Sequence, residues 1–317
     1  MNAIGKFLRT FDMQGSIVFL GFVAIFLFFA IVLYDDGFLT TRNLSNIVLQ
    51  TAPTTVMAVG LVFVLSAGEI DLSFGSITAV SAIVAAFALR EHSAVAGACA
   101  GIGAGLAIGA INGTLVAYLK LPSFLVTLAT LGLFAGVARS ITNLQSIPVL
   151  NDFFVGFFGS GAISGIPSLV IWTVVAVAVG HLVFRETRFG AHVVATGDDA
   201  QASLVSGIRV KRIRFLVLTI CGGCAGLAGL LYAGRLQAAK YTLGESDLMT
   251  VIAAVIVGGT ALFGGRGSVV GACVGSLLMG MLNNGLILMG LPVSDQMIVR
   301  GLIILVAVAI SLRQTER

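Results

Sequence analysis

Ten apolar runs, each at or near the length that crosses a bilayer, begin near Ile17, Ile47, Ser76, Ala94, Phe124, Ile163, Phe215, Leu248, Val269 and Met297. A run of about 20 apolar residues spans the hydrocarbon layer as a helix, so the chain is read as an all-α polytopic membrane protein of about ten transmembrane helices. Of the 317 residues, 58% are hydrophobic and only 10% charged, and the mean hydropathy is +1.07. Soluble domains carry roughly 25% charged residues. The first run follows Lys6 and Arg9, but it is too long for a signal-peptide core. No small-residue cleavage site precedes Tyr34-Asp35-Asp36, so the run is expected to be a retained anchor. Residues 1–317 are expected to form one transmembrane domain.

One stretch breaks the apolar pattern. Glu69-Ile70-Asp71-Leu72-Ser73-Phe74 puts two carboxylates inside the segment 56–89. Desolvating a carboxylate costs several kcal/mol unless it is paired, hydrated or capping a helix. The sequence therefore predicts an interrupted helix with a functional reason to exist, and transport is the first such function to weigh. Asp71 and Ser73 are placed either to cap the following helix, at the positive end of its dipole, or to line a path. Glu69 has the same two readings.

Orientation follows from Lys and Arg in the short loops. Residues 185–214 hold six basic residues, Arg185, Arg188, Arg209, Lys211, Arg212 and Arg214, against Glu186, Asp198 and Asp199, a net charge of +3. That segment is predicted to be cytoplasmic, and with ten spans both termini fall on the same side. Were residues 56–89 a single span, the basic loop would face outward. They are therefore expected to form two short spans meeting at a re-entrant turn.

Other function classes find no support in the residues. No basic face with interleaved aromatics suggests nucleic acid. No glycine-rich run ends in Gly-Lys-Ser/Thr, so ATP has no phosphate loop here. His92, His181 and His192 are scattered, and no serine or cysteine sits in a nucleophile context. The chain is read as a non-enzyme with no cofactor of its own. Cys221-Gly-Gly-Cys224 has a metal or redox spacing, but in an apolar helix its cysteines are expected to pack, with neither metal nor disulfide. Gly97, Gly101, Gly105, Gly109 and Gly113 recur every four residues, and Gly267, Gly271 and Gly275 repeat the spacing. Such stripes predict close helix-helix approach.

Two further stretches stand out. Thr196-Gly197-Asp198-Asp199 reads as a helix N-cap before a two-turn helix over 200–206, with Gly207 as its stop. This element, comprising Asp198, Asp199, Ala200, Gln201, Ala202, Ser203, Leu204, Ser206 and Gly207, is either a docking site for a cytoplasmic partner or a plain connector. Residues 257–268, rich in glycine, form a second break near 258–268 that echoes the first near 68–76. Paired breaks in the two halves of a transporter often flank its substrate path.

The stretches 67–76, 195–212 and 257–268 resemble, in order and spacing, the motifs "GGIDLSVGS", "ATGGN...A...SGI" and "VIGGTSLxGGxGS". These belong to the membrane permease subunits of bacterial ATP-binding-cassette importers for monosaccharides, of the ribose, xylose and galactofuranose type. The resemblance covers nearly the whole chain. It has two departures: Glu69 stands where the family usually has glycine, and Asp198-Asp199 replace Gly-Asn. The resemblance implies a protein of the bacterial inner membrane and a second permease chain, either a copy or a paralogue, with a translocation path between the two. It also implies a periplasmic sugar-binding protein and a cytoplasmic ATPase that uses ATP and docks on the helix over 200–206.

Sugar hydroxyls need polar partners within the spans, and Gln50, Asn112, Thr127, Asn283 and Asn284 are the few on offer. The candidate path residues are Glu69, Asp71, Ser73, Asn112, Asn283 and Asn284, although Asn283 and Asn284 also suit bonds to neighbouring helices. The outer run Phe153-Phe154-Val155-Gly156-Phe157-Phe158 is expected to lie along the membrane surface. The rival reading is an ion-coupled secondary transporter in which Glu69 and Asp71 titrate or bind a cation.

Overall fold

The computed structural model describes residues 13–299, 301–303 and 305. Its helices include α1 (Met13–Val32), α2 (Thr41–Ser66), α3 (Phe74–Glu91), α4 (Ala94–Ala117), α5 (Ser123–Thr142), α6 (Asp152–Val155), α7 (Ser168–Glu186), α8 (Arg188–Asp198), α9 (Ala200–Val205), α10 (Val210–Leu236), α11 (Asp247–Val257) and α12 (Val269–Leu288). Four two-residue strands make up the sheet content among the described residues. Ile147–Pro148 pairs antiparallel with Ala238–Ala239, and Ala162–Ile163 pairs with Ile166–Pro167. The second pair is closed by Ser164 and Gly165, both at positive φ, as a two-residue hairpin with the native twist requires.

Seven of these helices, α2, α3, α4, α5, α7, α10 and α12, are long and apolar enough to cross a membrane. The expected spans near Ile17 and Leu248 correspond to α1 and to α11. The latter has only 11 residues because the glycine-rich break at Gly258 stops it. The span expected to begin near Met297 lies partly outside the described residues. The segment 56–89 is divided between two spans, as expected, but neither is short: α2 runs 26 residues and ends at Ser66, α3 runs 18 from Phe74, and residues 67–73 join them.

Helix α2 is buried on all sides from Thr51 to Ser66, as a helix apolar all round should be. Pro53 lies inside it, flanked by hydroxyls that bond to the helix's own carbonyls: Thr51 Oγ1 to Ile47 O, and Thr54 Oγ1 and Thr55 Oγ1 to Thr51 O. Side-chain hydroxyls of this kind help to re-satisfy a proline-interrupted ladder in lipid. Around α2 pack α10, α12, α7 and α11, while α3 and α4 close the far side of α10.

The glycine stripe of α4 faces two helices. At Gly97 a Cβ would collide with Leu89 of α3, and at Gly101 with both Ser81 O of α3 and Leu230 of α10. At Gly105, Gly109 and Gly113 it would collide with the backbone of α10 at Gly222, Leu218 and Phe215. The second stripe meets α11, with Gly271 against Gly258 and Gly275 against Ala254. Cys221 and Cys224 are free thiols, and both pack against Gly60 of α2.

The Phe153–Phe158 run does not simply lie flat. Phe154 and Phe158 are buried while Phe153 and Phe157 are exposed, because α6 and the π turn that follows it (Gly156–Ser160) roll the chain inward. Phe158 stacks on Trp172, whose Nε1 donates to Phe157 O.

Asn284 also turns toward the protein. Asn43 Nδ2 donates to Asn284 Oδ1 at 3.0 Å, and Asn284 Nδ2 donates back to Asn43 Oδ1 at 2.9 Å. Asn284→Leu leaves the Asn43 amide half-satisfied and is expected to cost about 1–2 kcal/mol. Thermal unfolding in nanodiscs measures this, with most of the loss recovered in Asn43→Leu/Asn284→Leu.

Candidate functional site

The three stretches singled out from the sequence meet at one end of the bundle, the end carrying α8 and α9. Helix α2 stops at Ser66, whose carbonyl accepts the Gly265 N–H at 3.2 Å and whose Oγ donates to Arg266 O at 3.3 Å. Gly197, in the last turn of α8, is wedged between the Ser66 carbonyl and Gly265, and no Cβ fits there. Gly68, Gly264 and Gly265 have φ of 75°, 95° and 80°, values that favour glycine. The first break, the basic loop and the second break are thus locked backbone to backbone. Beside this junction opens a cavity of about 650 Å³, where Arg185 and Asp198 face Arg266.

The basic loop holds more helix than expected. Thr196 is not a cap but lies inside α8, whose N-terminus is capped by Thr187 Oγ1 accepting the Gly190 N–H. Asp199 caps α9: its Oδ1 accepts the Gln201 N–H at 2.8 Å and the Ala202 N–H at 2.9 Å. Helix α9 ends at Val205, one residue before the expected end, and Ser206 and Gly207 close it, with Gly207 at φ 85°. Val205 and Leu204 are exposed, while Ser203 packs inward.

Residues 69–73, between α2 and α3, belong to neither helix. Ser73 occupies the cap position of α3 but makes no capping bond with its side chain. Asp71 Oδ1 instead accepts both the Ser73 N–H at 2.7 Å and the Ser73 Oγ–H at 2.6 Å. Its short side chain takes the amide two residues on, as an Asx turn does. Ser73 Oγ is in turn bonded by Asn112 Nδ2 at 2.8 Å. Asp71, Ser73 and Asn112 are each fully buried, and none of them lines a described cavity. Their network leaves Asp71 Oδ2 and Asn112 Oδ1 without a hydrogen bond among the described residues. Glu69 is separate: its Oε1 lies 2.6 Å from Arg214 Nε, near the start of α10.

Two cavities lie farther along the bundle. One of about 500 Å³ is lined by Leu72, Gly75, Ser76, Gly132, Arg139 and Glu245, with the last two forming an ion pair. The other, of about 260 Å³, is walled by polar side chains from four helices: Gln50 and Thr54 of α2, Tyr232 and Arg235 of α10, Asp247 and Thr250 of α11, and Asn283 of α12. Tyr232 Oη donates to Asp247 Oδ2 at 2.6 Å. Polar walls of this kind suit a ligand dense in hydroxyls. Of the candidate path residues, Asn283 alone borders this space. Sequence reasoning missed Thr54, Tyr232, Arg235, Asp247 and Thr250. The available signal was the spacing of Tyr232 and Arg235, which puts both on one helix face just before an acidic residue at the head of the next apolar run.

Comparison with known proteins gives a consistent result. Residues 43–308 match the family described as branched-chain amino acid transport system permease component. The ribose import permease protein of Escherichia coli (strain K12) is 38% identical over 296 residues, covering 91% of each chain. The D-allose transport system permease protein of the same strain is 35% identical over 280 residues, 88% of this chain and 86% of the relative. The L-arabinose ABC transporter permease protein of Azospirillum brasilense is 35% identical over 292 residues, 91% of this chain and 86% of the relative. No solved structure matches the chain.

Proposed function

The chain belongs to the family of branched-chain amino acid transport system permease components, and from that premise we propose that it is the membrane subunit of a bacterial ATP-binding-cassette importer for a monosaccharide. It is a multi-pass transport component and not an enzyme, and ATP is hydrolysed on a separate chain. The substrate class rests on relatives named for ribose, D-allose and L-arabinose, which are all small sugars. In this reading the chain sits in the inner membrane with both termini and the α8–α9 loop in the cytoplasm. A second permease chain completes the path, and a periplasmic binding protein delivers the sugar.

The observation that carries the reading is the lock of the α8–α9 loop onto both interrupted segments through Ser66, Gly197 and Gly265. A push on α9 from a cytoplasmic motor acts at once on the two places where the helices are broken. An ion-coupled mechanism at Glu69 and Asp71 has no such support. Glu69 is paired with Arg214, and Asp71 is committed to Ser73 within the bundle.

Gentle solubilisation from the native membrane followed by mass spectrometry tests the assembly. A nucleotide-binding ATPase is expected to co-purify, and its reproducible absence would count against the importer. The polar cavity is read as a weak way-station for the sugar. Arg235→Ala removes one charged donor worth about 1.5 kcal/mol. It is expected to slow ATP-driven uptake roughly tenfold while the ATPase still co-purifies. Unchanged uptake in that variant would remove the cavity from the path.

A further inference from the structure

Besides the Asn112 bond from α4 to Ser73, three ties hold residues 67–73 in place, and one of them reaches the cytoplasmic loop through a single side chain. Ala67, Gly68 and Glu69 bond back to the last turn of α2 through their amides. Ile70 is held by the start of α5: its N–H donates to Ser123 Oγ at 3.0 Å, and its carbonyl accepts Thr127 Oγ1 at 3.1 Å. The Glu69 carboxylate crosses to α10, where it meets Arg214 at 2.6 Å.

Arg214 is well connected to the docking element. Helix α9 passes into α10 through four residues stiffened by main-chain bonds, Gly207 N–H to Leu204 O and Ile208 N–H to Ser203 O at 3.0 Å each. The first turn of α10 closes onto Arg209 O. A displacement of α9 therefore reaches Arg214 with little slack, and from there one ion pair leads to the break.

Stability alone does not account for this pair. The Glu69 side chain is 8% exposed and that of Arg214 36%. A buried ion pair is often no more stabilising than well-packed apolar residues in its place, because desolvation offsets the attraction. What a charge pair adds, even where Arg214 Nε makes no hydrogen bond among the described residues, is an attraction that depends steeply on separation and is costly to lose for a carboxylate as buried as that of Glu69. We propose that Glu69 and Arg214 are positioning residues for the transport cycle, tying the interrupted segment 67–73 to the α9–α10 junction so that the two move together. The proposal rests on the importer reading given above.

The test uses the intact importer, purified from its native membrane and reconstituted in liposomes with its binding protein. Labelled ribose, D-allose and L-arabinose serve as probes, and the readout is sugar taken up per ATP hydrolysed. Glu69→Gln and Arg214→Gln are each expected to lower that ratio about tenfold, a usual size for coupling between sites. The double variant should be no worse than either single one, as partners in one contact behave. Arg214→Lys, which keeps the charge, should stay within about twofold of the unaltered protein. A ratio unchanged in both Gln variants overturns the proposal. So does a fall of uptake and ATP hydrolysis in parallel with the melting temperature, which marks a merely structural pair. If the unaltered importer takes up none of the three probes, the monosaccharide reading fails first and this proposal goes with it.

Discussion

A variant with Ala200–Val205 replaced by six Gly and Ser residues is expected to insert, fold and remain monodisperse, yet to take up no sugar and to release its ATPase. The argument begins with what α9 contributes to the fold, which is little. It is two turns long, with Leu204 and Val205 exposed and Ser203 as its buried residue. Losing one packed turn and the Asp199 cap should cost about 1–2 kcal/mol at most, and the Gly197 lock remains untouched. Function is another matter in the proposed mechanism. A flexible linker cannot carry a directed displacement, and an isolated helix this short does not re-form in water. ATP-driven uptake should therefore fall to background while the melting temperature moves by a few degrees. A variant that retained full uptake would show that α9 is only a connector.

The second large effect lies in the membrane, at the crossing of α4 and α10. Gly222→Leu is expected to abolish recovery of folded protein, whereas Gly103→Ala should be neutral. A Cβ at residue 222 would collide with the Gly105 carbonyl and lie 2.8 Å from Gly109 Cα, while one at residue 103 meets nothing within 4 Å. Both obstacles at residue 222 are backbone, so no side chain can rotate away. The helices must part, giving up the close approach that drives association where no water is present to do so. Overpacking of this kind costs about 1–3 kcal/mol where a core can adjust, and more where two backbones are the obstacle. Size-exclusion profiles of the solubilised variants check both outcomes. A monodisperse peak for Gly222→Leu would mean that the crossing is looser than described.

Features that violate a local rule were legible from the sequence. Carboxylates at 69 and 71 and the glycines at 258–268 stand out against apolar surroundings, and both places are helix breaks. The four-residue glycine stripe announced a close crossing, but a stripe names no partner. That it meets α3 at one end and Gly222 and Gly226 of α10 at the other depends on how the bundle closes. Helix α8 stayed hidden because Arg188–Asp198 mixes glycine, threonine and histidine, poor helix formers, and is held as a helix by packing on α7 and α10. At Ser73 the capping rule met competitors: its hydroxyl donates to Asp71 Oδ1 and accepts from Asn112 Nδ2, and so takes no amide from the first turn of α3. The polar cavity draws residues from four helices, an assembly that no window on a single segment can reveal. The meeting of all three resemblance stretches around Gly197 was likewise a property of the fold.

Uptake by reconstituted vesicles tests the central claim most directly. The importer is embedded with ATP sealed inside, the binding protein is supplied outside, and ionophores are added to collapse every ion gradient. The account predicts that labelled ribose, D-allose or L-arabinose accumulates, that accumulation needs ATP and the binding protein, and that ionophores leave it unchanged. Uptake by this chain alone, driven by an ion gradient and indifferent to ATP, would contradict it and return Glu69 and Asp71 to the position of coupling groups.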